Sequence, residues 1–270
     1  MKNLSKGTQF LIGCAIVFAL GAALTLAGCI AGGLKALDDK TIAAPEMTTT
    51  EEVYEFSSIE STGYLDLEIA GPKYYDEMLE DHEIRDLTAE PGKVIVISRK
   101  DSNAPEVSTD GGRLIIDGGG ESFTSLGVHN PTVIVFCGED ELESIKVSSG
   151  SCDADINGVS FKNAELEMNA GDVEFEDVVS GGIKVDSESG EIRVSGMLKG
   201  MTDLHTNAGD IEVDTFDGIR TYTIDASTGA GDISIGDDEN DFEGIVYKQA
   251  GGDNTLKLRT DAGDIEIGEK

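Results

Sequence analysis

Tryptophan is absent from the chain, and proline is scarce, at 5 of 270 residues. Basic side chains are few as well: 20 Lys and Arg stand against 53 Asp and Glu, for a formal net charge of −33. Lys2 and Lys6 are the only charged residues among the first 34, so the rest of the chain sets 18 basic side chains against all 53 acidic ones. Nucleic-acid binding depends on Lys and Arg displacing counterions from phosphate, so this deficit excludes it. Anionic lipid repels such a body for the same reason, and the body is expected to stand off a membrane surface. Strong acidity with only 6% aromatic residues is also a composition of disordered chains. Periodic Val, Ile and Leu argue against disorder for most of the chain.

Glycine is plentiful, at 34 residues and with no collagen-like period. That content suits a turn-rich β protein better than a helical bundle. The length is ample for a buried core.

The N-terminus carries an address. Residues 1–9 form a short segment with Lys2 and Lys6, and residues 10–34 run for 25 positions without a charge. At about 1.5 Å per residue such a helix crosses a bilayer core with some tilt. The lysines belong on the cytoplasmic side, which places the body outside as a single-pass bacterial membrane protein. Two readings of the anchor stand side by side. Leu26-Ala27-Gly28-Cys29 fits a lipobox, in which Cys29 is lipidated and becomes the new N-terminus. Continuation of the apolar run to Leu34, and Cys14 in mid-span, favour an uncleaved helix instead. An ordinary cleaved signal is the third reading; residues 35–52 lack an apolar period and read as a flexible spacer.

From Ile145 onward one unit recurs: apolar-x-apolar, a short polar link, then Gly-Asp/Glu-apolar-x-apolar. Leu166-Glu167-Met168 leads to Gly171-Asp172-Val173-Glu174-Phe175, and Ile183-Lys184-Val185 to Gly190-Glu191-Ile192-Arg193-Val194. The later copies centre on Gly209-Asp210, Gly231-Asp232 and Gly263-Asp264, and a degenerate first copy runs through Gly150 to Cys152 and Ala154. The central glycines lie 21, 19, 19, 22 and 32 residues apart. A period near twenty is too short for a helical-hairpin repeat and fits one turn of a β-solenoid. The first apolar residue precedes the glycine by five or seven positions, which keeps inside and outside in phase across the corner. Stacking about 4.8 Å apart puts Val173, Ile192, Ile211, Ile233 and Ile265 in one internal column. The expected fold class is therefore all-β, a parallel β-helix or β-solenoid over residues 144–270. Residues 53–143 form a less regular β part. There, stretches such as Val94-Ile95-Val96-Ile97 and Val133-Ile134-Val135-Phe136 read as strands covered on both faces. Residues 73–87 are an acidic inserted loop or short helix, and residues 237–253 a second insertion.

These glycine-acid-apolar-x-apolar repeats resemble a bacterial family of adhesin-like proteins of unknown function. Its members couple one N-terminal membrane span, often ending in glycines as Gly32-Gly33 do, to such a body. The resemblance covers roughly residues 10–270 and is best from Ile145 on. It implies a β-solenoid and carries over no catalytic residue and no cofactor.

Several residues are candidates for chemistry. In register, Asp172, Glu191, Asp210, Asp232 and Asp264 form a carboxylate ladder, either a calcium site or a set of caps on the turns. Cys137 and Cys152, the two body cysteines, either pair as a disulfide or stay apart, Cys152 as a buried thiol. The histidines, His82, His129 and His205, fall in unrelated segments, and no nucleophile–base pairing is readable. The leading expectation is a non-catalytic, membrane-anchored surface module that presents a rigid acidic solenoid to a protein or glycan partner. An envelope sensor or scaffold acting through membrane neighbours is the alternative, and a carboxylate-based polysaccharide enzyme a distant one. With Ile267 three residues from Lys270, the last coil is expected to be open and to self-associate through that end.

Overall fold

The computed structural model describes residues 46–100, 104–119, 130–236 and 246–270. The segment 10–34 with Cys14 and Cys29, His129, and residues 237–245 of the second insertion lie outside them. Contacts divide the chain at Met47, and the β body is the unit Met47–Lys270. Among the described residues no helix is long and apolar enough to cross a membrane.

Apolar-x-apolar alternation makes each half-coil a short strand with one face inward. A coil is one strand of sheet I, a sharp corner, and one strand of sheet II. Strand β1 (Met47–Val53) comes first, then the coil of β2 (Ser58–Thr62) and β3 (Asp66–Ala70). After β4 (Lys93–Arg99) and β5 (Glu106–Asp110) comes the coil of β6 (Arg113–Asp117) and β7 (Thr132–Phe136). Next are β8 (Ser144–Ser149) with β9 (Ala154–Asn157), the short β10 (Ser160–Phe161), and β11 (Ala164–Met168) with β12 (Val173–Ser180). The coils of β13 (Ile183–Ser187) and β14 (Ile192–Leu198), and of β15 (Met201–Ala208) and β16 (Ile211–Thr215), come after these. The chain closes with β17 (Tyr222–Thr228) and β18 (Ile233–Ile235), β19 (Val246–Gln249), and the coil of β20 (Asn254–Ala262) and β21 (Ile265–Glu269).

Sheet I runs β5-β6-β2-β8-β11-β13-β15-β20-β17-β19, and sheet II runs β1-β4-β7-β3-β9-β12-β14-β16-β21-β18 with β10 beside β12. Successive coils pair in parallel. Antiparallel strands close the stack: β5 on β6, and β1 on β4 on β7, at one end, and β19 on β17 at the other. Val173, Ile192, Ile211, Ile233 and Ile265 are all buried, as are Phe175, Val194, Val213 and Ile267.

Three expectations need correction. Coil order departs from chain order at both ends, because β6/β7 lies outside β2/β3 and β20/β21 lies inside β17/β18. Connector length permits this: two residues link β12 to β13 and β14 to β15, but six separate β16 from β17, enough to step over one coil. The coil of β21 is therefore interior, paired with β16 on one side and β18 on the other, and is not an open end. Residues 47–52, placed in the spacer, are strand β1, whose threonines suit an edge strand; Thr48 Oγ1 donates to the Ser98 carbonyl at 3.2 Å.

Charge explains the interior position of the last coil. Along the outer face of sheet I the register sets Glu60, Lys146, Glu165, Lys184, Asp203, Lys257, Asp225 and Lys248 side by side, in strict alternation of sign. Stacking β17 directly on β15 would put Asp203 against Asp225, a repulsive cross-strand pair. With β20 between them, Lys257 lies 2.7 Å from Asp203 and faces Asp225 on its other side.

Candidate functional site: an acidic face beside a helical strap

At the corners, Asp172 N–H donates to Asp153 Oδ1 at 2.9 Å, and Glu191 N–H to Asp172 Oδ1 at 2.8 Å. Asp264 N–H donates to Asp210 Oδ1 at 2.7 Å, and Asp232 N–H to Asp264 Oδ1 at 2.8 Å. Each carboxylate thus caps the neighbouring coil rather than its own turn. At the Glu191–Asp210 step no such bond forms. Glu191 carries one methylene more and turns to Arg193 instead, at 2.6 Å. Among the described residues no group of three or more His, Cys, Asp or Glu is placed to hold a metal ion.

Sequence reasoning missed the partner of these caps. Thr206, Thr260 and Thr228 point inward three residues before the corner glycine. They donate to the carbonyls of Gly190, Gly209 and Gly263 on adjacent coils, at 3.2, 2.9 and 2.8 Å. The signal was present as Thr-x-Ala-Gly-Asp at residues 206–210, 228–232 and 260–264. The glycine itself is dictated by proximity. A Cβ on Gly209 would stand 2.0 Å from the Gly190 carbonyl oxygen, with φ at +147°.

Cys137 and Cys152 are free thiols, both buried. Burial is the main force on each and pushes both up to about 12. His205 lies on the outer face of sheet I, 3.2 Å from Asp186.

The insertion at residues 71–92 is a strap across the outer face of sheet II. A 3-10 turn (Pro72–Tyr74) leads into helix α1 (Tyr75–Asp81). Its apolar side, Tyr74, Met78 and Leu79, covers Ala70, Ile95, Ile134 and Phe136, so β4 and β7 are buried on both faces as their apolar runs require. The Tyr75 ring meets Phe136 edge-on with centroids 5.0 Å apart, and Tyr75 Oη donates to the Cys137 carbonyl at 2.5 Å. At the N-terminal end of the strap, Tyr74 Oη donates to Asp177 at 2.9 Å, and Lys73 pairs with the same carboxylate. Asp177 has φ +52° beside a bulge in β12, which re-aims its side chain at the strap.

At the C-terminal end, His82 Nε2 lies 2.7 and 2.8 Å from the two carboxylate oxygens of Glu68. That contact raises the imidazole above its ordinary value, against the opposing effect of burial. Glu68 heads a row on the outer face of sheet II: Glu68, Asp155, Glu174, Arg193, Glu212 and Glu266, five carboxylates to one guanidinium. Burial, then Glu68 and Glu174, push the Asp155 carboxyl up to about 7. Asp66 is raised too, first by burial, although Asn130 donates to it at 2.9 Å. Sequence reasoning left His82 without a partner, because Glu68 reaches it only through the folding back of the strap.

Parallel coils locked at Gly-Asp corners define a repeat β-solenoid. The chain belongs to the Toastrack DUF4097 family, whose pattern matches residues 79–266. A "putative cell adhesion protein" from Clostridium sporogenes shares the fold, with a TM-score of 0.53 at 17% identity over 83% of this chain and 100% of that one. A "putative adhesin" from Bacteroides fragilis aligns at 10% identity over 83% and 98% of the two chains, with a TM-score of 0.33, too low to carry weight. No curated protein matches the chain.

Proposed function

We propose that the chain is a non-catalytic module, held on the outer side of a bacterial membrane by residues 10–34, that presents its sheet II face to a protein or glycan partner. The contrast between the two faces carries this reading. Sheet I neutralises itself: Lys184 pairs with Glu165 at 2.9 Å, Lys257 with Asp203 at 2.7 Å and Lys248 with Asp225 at 3.0 Å. Sheet II, on the same scaffold, leaves Glu174, Glu212 and Glu266 with Arg193 as the one cation in their row. An uncompensated charged face gives direction and speed to encounter with a partner of opposite potential. Rigidity adds to this, since a stacked solenoid loses little freedom on binding.

The test compares cells bearing the full chain with cells bearing Glu174→Gln, Glu212→Gln and Glu266→Gln together. Partners are captured by surface crosslinking, and orientation is checked by protease shaving of intact cells. The reading expects shaving to remove the body, and capture to fall at least tenfold in the triple variant but not in Glu60→Gln/Glu165→Gln. Equal capture by all three proteins, or a body protected from shaving, would contradict it.

A further inference from the structure

We propose that the His82–Glu68 contact is a proton-operated latch that holds the strap of residues 71–92 closed over sheet II and releases its C-terminal half when the proton leaves.

The imidazole faces a wall of acids. Glu68 on β3, Asp155 on β9 and Glu174 on β12 stand side by side in register, and Asp66 and Asp153, the latter just before β9, act on Asp155 as well. The strap itself adds Asp81, while Glu80 is taken by Arg85. Strand β7 beneath the strap contributes no titratable side chain. On β4, Lys93 is turned away, donating to the Thr88 carbonyl at 2.7 Å and pairing with Glu51 at 2.5 Å. Arg193 and Lys73 are engaged away from Glu68 and Asp155. Arg193 lies 2.6 Å from Glu191 and 3.4 Å from Glu212, and Lys73 is on Asp177 at the far end of the strap. Of the strap's own cations, Lys73 and Arg85 are held on Asp177 and Glu80, and His82 is the one placed against this row.

His82 sits where its loss would free the helix end. It caps the C-terminus of α1, and the next residue, Glu83, takes a left-handed conformation at φ +56°. Non-glycine residues adopt this at a cost, so the helix end is held there by its contacts. Three amides hold the helix end in this form: His82 N–H to the Met78 carbonyl, Glu83 N–H to that of Glu80 and Ile84 N–H to that of Leu79. With the imidazole charged, its N–H spans both oxygens of Glu68 as a charge-assisted bond. With the imidazole neutral and Asp155 ionised, the row regains full mutual repulsion and the bond weakens. Asp155, once ionised, helps to hold the proton on His82, so it delays the opening and couples the two titrations. The N-terminal half keeps Tyr74 and Lys73 on Asp177, so the strap swings on that end rather than detaching.

Hydrogen exchange of the full chain in detergent, from pH 5.5 to 8.5 and corrected for intrinsic rates, reads the latch directly. Protection of the amides of His82, Glu83 and Ile84 should fall several-fold across that range relative to β13 and β15, as loss of a charge-assisted hydrogen bond requires. His82→Gln keeps an N–H donor but cannot titrate, and its profile should be flat. Asp155→Asn should move the wild-type midpoint to lower pH, which keeps the test open even if His82→Gln folds poorly. A constant protection ratio in the wild type would overturn the latch. So would an unaltered profile in His82→Gln, or an unmoved midpoint in Asp155→Asn.

Discussion

Asp264 donates its backbone N–H to the Asp210 carboxylate 54 positions earlier in the chain, while Asp232, the nearer repeat, is bonded to Asp264 from the opposite side. One coil is threaded between two that precede it. The seam of acids, the column of inward isoleucines and the charge ladder of sheet I all register the same order. That agreement makes the interior position a consequence of several weak preferences pointing one way.

Lys257 should be a sensitive rung of the ladder, because Asp203 and Asp225 flank it. Lys257→Glu sets three carboxylates in a row and should lower stability by roughly 1 kcal/mol, the sum of two like-charge cross-strand pairs. Urea denaturation, with the midpoint compared against Lys199→Glu outside the ladder, measures it. Equal shifts for the two variants would refute the ladder.

Corner glycines should tolerate no side chain. Gly209→Ala drives a Cβ to 2.0 Å from a backbone oxygen at φ +147° and should cost at least ~2 kcal/mol or prevent folding. Gly111 has φ +59° and open space around its Cβ position, so Gly111→Ala should cost only about 1 kcal/mol from the backbone preference alone. Thermal melts of the two variants separate close approach from backbone strain.

The break in the acid seam is a weakness that substitution can mend. Glu191→Asp restores the reach of the other corners and lets the residue accept the Asp210 N–H. The half-exposed contact with Arg193 that it gives up is worth little. A gain of about 0.5–1 kcal/mol is expected in chemical denaturation, the usual net value of one hydrogen bond.

Stability should fall as pH rises from mildly acidic to mildly alkaline. Asp155, raised to about 7, keeps in the folded state a proton that the unfolded chain releases, so its contribution declines from about pH 4 to 7. His82, also raised, contributes fully below its unfolded value and loses that contribution as pH climbs through the folded one. Asp177 and Glu165 are depressed by Lys73 and Lys184, so their contribution is lost only on stronger acidification, and exposure keeps it small. Tm should be higher at pH 5.5 than at pH 8, with a smaller difference in Asp155→Asn. A Tm that rises with pH would contradict the assignment.

Cys137 and Cys152 should resist alkylation in the native protein and react in denaturant, because burial suppresses both thiolates. Intact-mass analysis with and without reductant should find both unpaired.

Much of the fold was legible because period-two alternation and a glycine-acid corner are local signals. Val133-Ile134-Val135-Phe136 even announced burial on both faces, which the strap supplies. Coil order was not legible in the same way. Pairing of β16 with β21 rather than with β18 depends on Asp203, Lys257 and Asp225 meeting across long sequence separations, which no local pattern shows. The candidate site divided similarly. Its corner acids stood out in the repeat, but their bonds run between coils. His82 and Glu68 belong to different elements and meet only when α1 packs down.

Disulfide trapping of paired cysteines on the outer face of sheet II tests the coil order, and with it both faces, most directly. Adjacent in-register positions suit a disulfide, whereas positions two coils apart lie beyond its reach of about 7 Å between Cα atoms. Rapid oxidation is predicted for Glu212→Cys with Glu266→Cys and for Glu266→Cys with Ser234→Cys, and none for Glu212→Cys with Ser234→Cys. Crosslinking of positions 212 and 234, with 266 unreactive towards 212, would place the coils in chain order and contradict the threaded arrangement.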